Sequence, residues 1–180
     1  MTAAEGTDAP IRAVVVTVSD RSFRGEREDR GGPAVEAALH RLLGDSVLVV
    51  ERLVLPDEQS DVEWNLKRIA DTGGADLVVT TGGTGLAPRD VTPQATLAVA
   101  DYAVPGIPEA IRAATRGGLA AAILSRQTAA VRGRTLILNL PGSPRGAAEC
   151  LEVVAPVLAH AVATLRGDAG DSHPRPLATV

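Results

Sequence analysis

Aromatic side chains are nearly absent: one Phe, one Tyr and one Trp make up 2% of the 180 residues. Recognition of single-stranded nucleic acid by stacking bases on rings is therefore scarcely available. Excess positive charge is also missing. The formal net charge is -4 at pH 7, whereas a nucleic-acid footprint needs a clustered basic face. Cysteine occurs once, at Cys150, which excludes an internal disulfide and a thiolate metal cluster and reads as a small core residue in a helical stretch. No continuous apolar run approaches the roughly 20 residues of a membrane span, and the opening MTAAEGTDAP has no signal-peptide core. A cytoplasmic location away from membranes and nucleic acid is the expectation.

Several catalytic signatures are lacking as well. No lysine follows the glycine-rich run at 82–85, so Walker A is not met, and no G-x-G-x-x-G follows the first apolar run. Acyl hydrolysis through a G-x-S-x-G nucleophile is excluded in the same way. His40 and His160 fall in helical stretches and His173 near the end, with no metal-ligand spacing among them.

What is present is ordinary for a globular domain: 45% hydrophobic and 22% charged residues, in a length that one core accommodates. β-Branched runs recur at 11–18 (IRAVVVTV), 46–54 (SVLVVERLV), 76–80 (DLVVT) and 134–139 (RTLILN), the pattern of strands covered on both faces. Helical stretches alternate with them. The first, GGPAVEAALHRLLG, has Pro33 in its first turn and Gly44 as its stop. The second follows Pro56, with Ser60 and Glu63 at capping-box spacing. A third starts at Thr92-Pro93 with a hydroxyl cap, a fourth covers about 107–116, and the last runs from Pro144 to about Leu165.

This alternation predicts an α/β fold with a mostly parallel sheet and helices on both faces. Residues 11–166 form the domain, with flexible segments expected at 1–10 and 167–180. Ligands of such folds sit beyond the carboxyl ends of the strands, which directs attention to the loops at 19–32, 55–59, 81–92 and 140–143.

The stretch TTGGTGLAPRDVTP at 80–93 is over-specified for a simple reversal. Gly82, Gly83 and Gly85, with Thr84 among them, permit close backbone approach to a phosphate or sugar; a tight structural turn satisfies the spacing equally. NLPGSPRG at 139–146 repeats the plan, with Ser143 either capping a helix or helping to bind an anion there. Asp29, Asp57 and Asp90 each follow a strand and are able to hold Mg2+ between phosphates; helix capping is the alternative for Asp57 and Asp90. Arg21, Arg24, Arg27 and Arg30 are interleaved with Glu26, Glu28 and Asp29, which reads as a solvated loop or as a basic segment closing on an anionic ligand. Trp64 sits at the edge of its helix's apolar face, and Val99, Ala100, Tyr102 and Val104 offer a subunit contact.

Taken in order, VTVSDRSFRGEREDRGGP, LPDEQ, TTGGTGLAPRDVTPQAT, VPGIPEAIR and LILNLPGSPRGAAEC resemble the MoaB/Mog family of molybdenum-cofactor biosynthesis, and within it the molybdopterin adenylyltransferases, over about residues 11–166. The resemblance implies a three-layer α/β/α sandwich, a homotrimer, and transfer of AMP from Mg-ATP to the terminal phosphate of molybdopterin with release of pyrophosphate. The product then passes to a molybdenum-insertion protein. By resemblance, Asp57 and Asp90 are the catalytic aspartates and the Mg2+ ligands. Thr17, Ser19, Asp29, Gly82, Gly83, Thr84, Gly85, Asn139, Pro141, Gly142 and Ser143 are the substrate-binding positions. Thr115 joins them, at a place where some relatives carry serine. A non-catalytic MoaB-type molybdopterin carrier and a gephyrin-like scaffold module are the competing readings; the absence of a long linker argues against the scaffold.

Overall fold

The computed structural model describes residues 9–117 and 120–167, with the side chains of 120 and 121 left out. The segments expected to be flexible, 1–10 and 167–180, lie outside the described residues except for 9, 10 and 167. In chain order the elements are β1 (Ile11–Val18), α1 (Asp20–Phe23), α2 (Gly31–Leu43), β2 (Val47–Leu55), α3 (Gln59–Asp71), β3 (Leu77–Thr81), α4 (Thr92–Val99), β4 (Tyr102–Ala103), α5 (Gly106–Thr115), β5 (Ala129–Arg132), β6 (Thr135–Leu140) and α6 (Pro144–Arg166). Short 3-10 turns cover Gly44–Ser46 and Ala120–Leu124.

The six strands form one sheet in the order β2-β1-β3-β6-β5-β4. Pairing is parallel from β2 through β1 and β3 to β6, and antiparallel from β6 to β5 and from β5 to β4. Alternation along β1 explains its nearly continuous apolar run, broken by the exposed Arg12 and by Thr17. Ala13 and Val15 enter one core with Val35 and Leu39 of α2, Ile111 of α5 and Leu151 of α6. Val14, Val16 and Val18 enter the other with Val62 and Leu66 of α3 and Ala95 of α4. Side chains of successive strand residues point to opposite faces, so burial on both faces demands apolar residues at every position. The result is the expected three-layer α/β/α arrangement.

Some local features differ from the sequence reading. β4 and β5 carry too little periodicity to announce themselves, and α1 is a single turn, DRSF, capped by Ser19, whose Oγ accepts from Ser22 N at 3.3 Å. Helix α3 starts at Gln59 with Glu58 before it, so Ser60 is not the cap, and Glu63 accepts from the Gln59 side chain at 2.7 Å instead of closing a capping box. Val91 precedes α4 without a side-chain cap, and the Thr92 hydroxyl serves elsewhere. At α2 the capping is done by Asp29, whose Oδ1 accepts from Gly31 N and Gly32 N. Val99 is buried in the core and is unavailable for a subunit contact, whereas Tyr102 is exposed on the edge strand β4.

Helix α6 is long and apolar enough to cross a membrane by length and composition alone. Its stripe of Ala147, Cys150, Leu151, Val154, Leu158 and Val162 is buried in the core. That spacing is the inward face of an amphipathic helix packed on the sheet.

Candidate functional site at the carboxyl edge of the sheet

Strand β1 pairs with β2 on one side and β3 on the other, so the topology reverses direction between β1 and β3 and opens a crevice there. Val18, Leu55, Thr81 and Leu140 end the four parallel strands, and the loops that follow them assemble around two adjoining clefts. One, of about 600 Å³, is lined by Thr17, Ser19, Arg27, Asp29, Asp57 and Gly82 among others. The second, of about 1080 Å³, is lined by Thr84, Gly85, Asp90, Thr115, Pro141 and Ser143 among others. Gly83 and Gly142 line both, so these glycines form the wall between the clefts.

The glycines are required by the protein's own packing before any ligand arrives. Gly82 has φ +103°, and a Cβ there would lie 2.3 Å from the carbonyl oxygen of Val18. Gly83 has φ +63°, and a Cβ would stand 2.4 Å from Thr92 Oγ1. Both distances are well inside van der Waals contact, and both dihedrals favour glycine. The structural turn and the close-approach loop are thus the same object. Among the described residues, the N–H groups of Gly83, Thr84 and Gly85 donate to no protein acceptor, which leaves three donors at the wall between the clefts.

Two side chains hold this wall in place. Thr92 Oγ1 donates to Gly82 O at 2.8 Å from a fully buried position. Arg126 donates through Nε to Gly85 O at 2.6 Å and through Nη2 to Asp90 O, while its own N–H reaches Thr84 O at 2.9 Å. Nothing in the sequence around SRQT signals that role, because the partners of the Arg126 side chain lie 36 and 41 residues away.

Asp57 and Asp90 stand on opposite sides of the wall. Asp57 Oδ2 accepts from Asp20 N at 2.7 Å, and Asp57 N donates to Asp20 Oδ1 at 3.0 Å. Asp90 Oδ2 accepts from Ala87 N at 2.9 Å. Neither caps the helix that follows it, and each keeps Oδ1 clear of protein donors among the described residues. Burial pushes the Asp57 carboxyl up from its ordinary value, reinforced by the charges of Asp20 and Asp90 and opposed by the Asp20 N–H and by Arg89. Asp20 moves the other way: the Asp57 N–H holds it below the usual range against desolvation, with Arg89 adding to the effect.

On the far wall of the smaller cleft, Thr17 Oγ1 lies 3.1 and 3.0 Å from the two oxygens of Asp29. Ser19 Oγ accepts from Arg27 Nη2 at 3.3 Å. The neighbouring arginines are spoken for: Arg24 pairs with Glu26 at 2.7 Å and Arg30 with Glu28 at 3.2 Å. Arg27 is the cation of this loop that lines the cleft without a carboxylate within 4 Å among the described residues. In the larger cleft Ser143 caps α6 through Gly146 N at 3.3 Å, and Thr115 Oγ1 donates back to Ile111 O at 2.8 Å. Cys150 lies at the base, 3.5 Å from Gln127 Nε2, with its thiol pushed up by burial.

Of the catalytic and substrate-binding positions expected from the sequence, Asn139 alone lines neither cleft. It is fully buried at the end of β6, where Nδ2 donates to Thr80 Oγ1 and Thr96 Oγ1 at 2.9 Å each. Its Oδ1 is buried without a partner among the described residues. Asp20, Arg89 and Arg126 carry no role in the sequence reading, although Asp20 and Arg89 lie within the motifs quoted there.

Fold and site together define a doubly wound α/β domain whose ligand crevice lies at a topological switch point. Residues 14–160 match the family model described as a probable molybdopterin binding domain, and the chain belongs to that family. It is 47% identical over 146 residues to a molybdopterin adenylyltransferase of Haemophilus influenzae, covering 81% of this chain and 74% of the relative. To the molybdopterin adenylyltransferase of Helicobacter pylori strain J99 it is 40% identical over 158 residues, covering 88% and 89%. The crystal structure of the molybdopterin biosynthesis enzyme MoaB from Thermus thermophilus is similar, with a TM-score of 0.79 and 48% identity over 87% of this chain and 97% of that one.

Proposed function

We propose that this chain is a molybdopterin adenylyltransferase, which moves AMP from Mg-ATP to the terminal phosphate of molybdopterin. The observation that carries this reading is the pair of adjoining clefts divided by one glycine wall, with Asp57 on one side and Asp90 on the other. A reaction between two phosphate-bearing substrates needs two binding surfaces that meet at the reacting phosphates. An oxygen of the molybdopterin phosphate attacks the α-phosphorus of ATP. The bond from that phosphorus to the bridging oxygen of the β-phosphate breaks, and pyrophosphate leaves with the electron pair. No protein nucleophile is needed. The N–H groups of Gly83, Thr84 and Gly85 bind the charged oxygens, and Arg27 supplies a cation within the Asp57 cleft.

Among the described residues no group of three His, Cys, Asp or Glu side chains gathers into a metal site. Two carboxylates with one uncommitted oxygen each suit an ion that arrives with substrate phosphates, since Mg2+ commonly uses one or two carboxylates and keeps water and phosphate ligands. Asp57 and Asp90 would hold it, and it would neutralise phosphate charge. Thr17 and Asp29 keep the N-terminal turn of α2 seated against β1, which shapes the wall opposite Asp57. We place the protein in the cytoplasm as a homotrimer that passes its product to a molybdenum-insertion protein.

Mixing the protein with ATP, Mg2+ and molybdopterin should release one pyrophosphate per molybdopterin consumed. Binding of molybdopterin with no pyrophosphate release would overturn the enzyme reading and favour a carrier.

A further inference from the structure

Arg89, immediately before Asp90, does not face the solvent idly. Its guanidinium crosses to the loop after β1 and grips Asp20, with Nε to Oδ2 at 3.0 Å and Nη2 to Oδ1 and Oδ2 at 2.9 and 2.7 Å. Nη1 reaches Glu58 Oε1 at 2.8 Å, beside Asp57. Asp20 in turn exchanges two hydrogen bonds with Asp57, N–H to carboxylate in each direction, at 2.7 and 3.0 Å. The neighbouring bond from Ser19 N to Leu55 O, at 2.9 Å, carries the β1–β2 ladder to this point. A connected path therefore runs from Asp57 through Asp20 and Arg89 into the backbone of Asp90.

We propose that Asp20 and Arg89 are positioning residues that fix the separation and orientation of the Asp57 and Asp90 carboxylates across the glycine wall. The inference rests on the adenylyltransferase reading for its kinetic consequence, though its geometric consequence stands alone. Asp57 lies on a three-residue connection between β2 and α3, and Asp90 lies on a ten-residue loop between β3 and α4. Neither loop alone determines where its carboxylate stands relative to the other. Asp20 takes both neighbours at once: one oxygen caps the Asp57 backbone while both receive the arginine fork. A bidentate arginine–carboxylate pair constrains direction as well as distance. With the Arg89 side chain about half exposed, such a pair contributes little to stability, so its value lies in geometry.

The positions differ in what each substitution removes. Asp20→Ala takes away the cap on Asp57 N and the partner of Arg89. Asp20→Asn keeps an oxygen for the cap and loses the charge. Arg89→Met removes the fork on Asp20 together with the exposed bond to Glu58 and, at an exposed site, leaves the core untouched.

The experiment measures kcat and KM for pyrophosphate release in the parent, the three single variants and the Asp20→Asn/Arg89→Met double variant, with thermal midpoints and crystal structures of each. A misplacement of about 1 Å at reacting groups can lower turnover on the order of a hundredfold. Asp20→Ala should therefore lose kcat on the order of a hundredfold with KM within about threefold of the parent, Asp20→Asn should recover roughly tenfold of that, and the double variant should be no worse than its weaker single. Midpoints of Asp20→Asn and Arg89→Met should stay within about 3 °C of the parent. In the crystals the distance between the Asp57 and Asp90 carboxylates should change by more than about 0.5 Å in Asp20→Ala or Arg89→Met. Unchanged kcat in Arg89→Met and Asp20→Asn, losses that multiply in the double variant, or carboxylates that stay in place would each overturn the proposal. A parent that releases no pyrophosphate defeats the functional reading instead, and the crystallographic distances then decide the positioning claim.

Discussion

Thr92 closes the glycine loop: its buried hydroxyl donates a 2.8 Å hydrogen bond to the carbonyl oxygen of Gly82, ten residues earlier. Thr92 also stands where a Cβ on Gly83 would fall. One threonine thus constrains both the path and the composition of the wall between the clefts.

Thr92→Val leaves the Gly82 carbonyl without its donor inside the protein. Loss of about 1–3 kcal/mol of stability is expected, the usual consequence of orphaning a buried polar group. Chemical denaturation measures it, and an unchanged midpoint would show that the hydroxyl does not hold the loop.

Asp90→Asn retains an oxygen able to accept from Ala87 N, so the loop should keep its shape. Molybdopterin binding should stay near the parent value while pyrophosphate release falls roughly a hundredfold or more, as expected when one contact made in the transition state is lost. Titration calorimetry and single-turnover assays separate the two effects; turnover within about threefold of the parent would remove Asp90 from the chemistry.

Arg27→Ala tests the cation of the Asp57 cleft. Because Arg27 pairs with no carboxylate among the described residues, its removal should leave stability alone, within about 0.5 kcal/mol for a surface position. The KM of whichever phosphate-bearing substrate enters that cleft should rise about tenfold, the scale of one charge-assisted hydrogen bond. A larger effect on kcat than on KM would contradict a binding role.

At the opposite edge of the sheet, Asp76 joins β1 to the last turn of α6. Arg12 donates to it at 2.9 and 3.1 Å and Arg166 at 2.7 and 3.3 Å, with Arg12 N adding a further bond at 2.9 Å. Burial works against the carboxylate, but these donors prevail and hold its titration well below the usual range. A folded-state value below the unfolded one stabilises above the unfolded value, about 4, and the contribution fades as pH falls from there toward the folded value. Asp76→Asn should therefore lose about 2–3 kcal/mol near neutrality, the scale of hydrogen bonds to a charged group, and less as the pH drops below about 4. Thermal midpoints from pH 7 down to pH 3 check the sign: a deficit that grows on acidification would refute the assignment.

Much of this architecture is legible in the chain. Four β-branched runs became the four parallel strands, each within about a residue of its expected bounds. Burial on both faces demands apolar residues nearly throughout β1, β3 and β6, whereas β2 is an edge strand that leaves Leu48 and Val50 exposed, against the expectation that all four runs are covered on both faces. The rule that ligands sit beyond strand carboxyl ends then located Asp57, Asp90 and both glycine loops in one place. Strands β4 and β5 were invisible, since YA and AAVR are too short and too small to show a period; β5 owes its pairing to β6, and β4 to β5. Asn139 shows a different limit. Its polar type in a motif suggested a ligand contact, whereas its position in a fully buried strand turns it toward Thr80 and Thr96.

The sequence by itself determined the layers, the strand-and-helix order and the loops that carry chemistry, because these follow from local periodicity and from which residues tolerate burial. Only the tertiary structure decided how the loops are tied together. The bonds from Thr92 to Gly82, Arg126 to Gly85 and Arg89 to Asp20 span between ten and 69 residues, and no local pattern records them. Side-chain partners at such separation are chosen by the packing of the sheet, which brings distant loops to one edge.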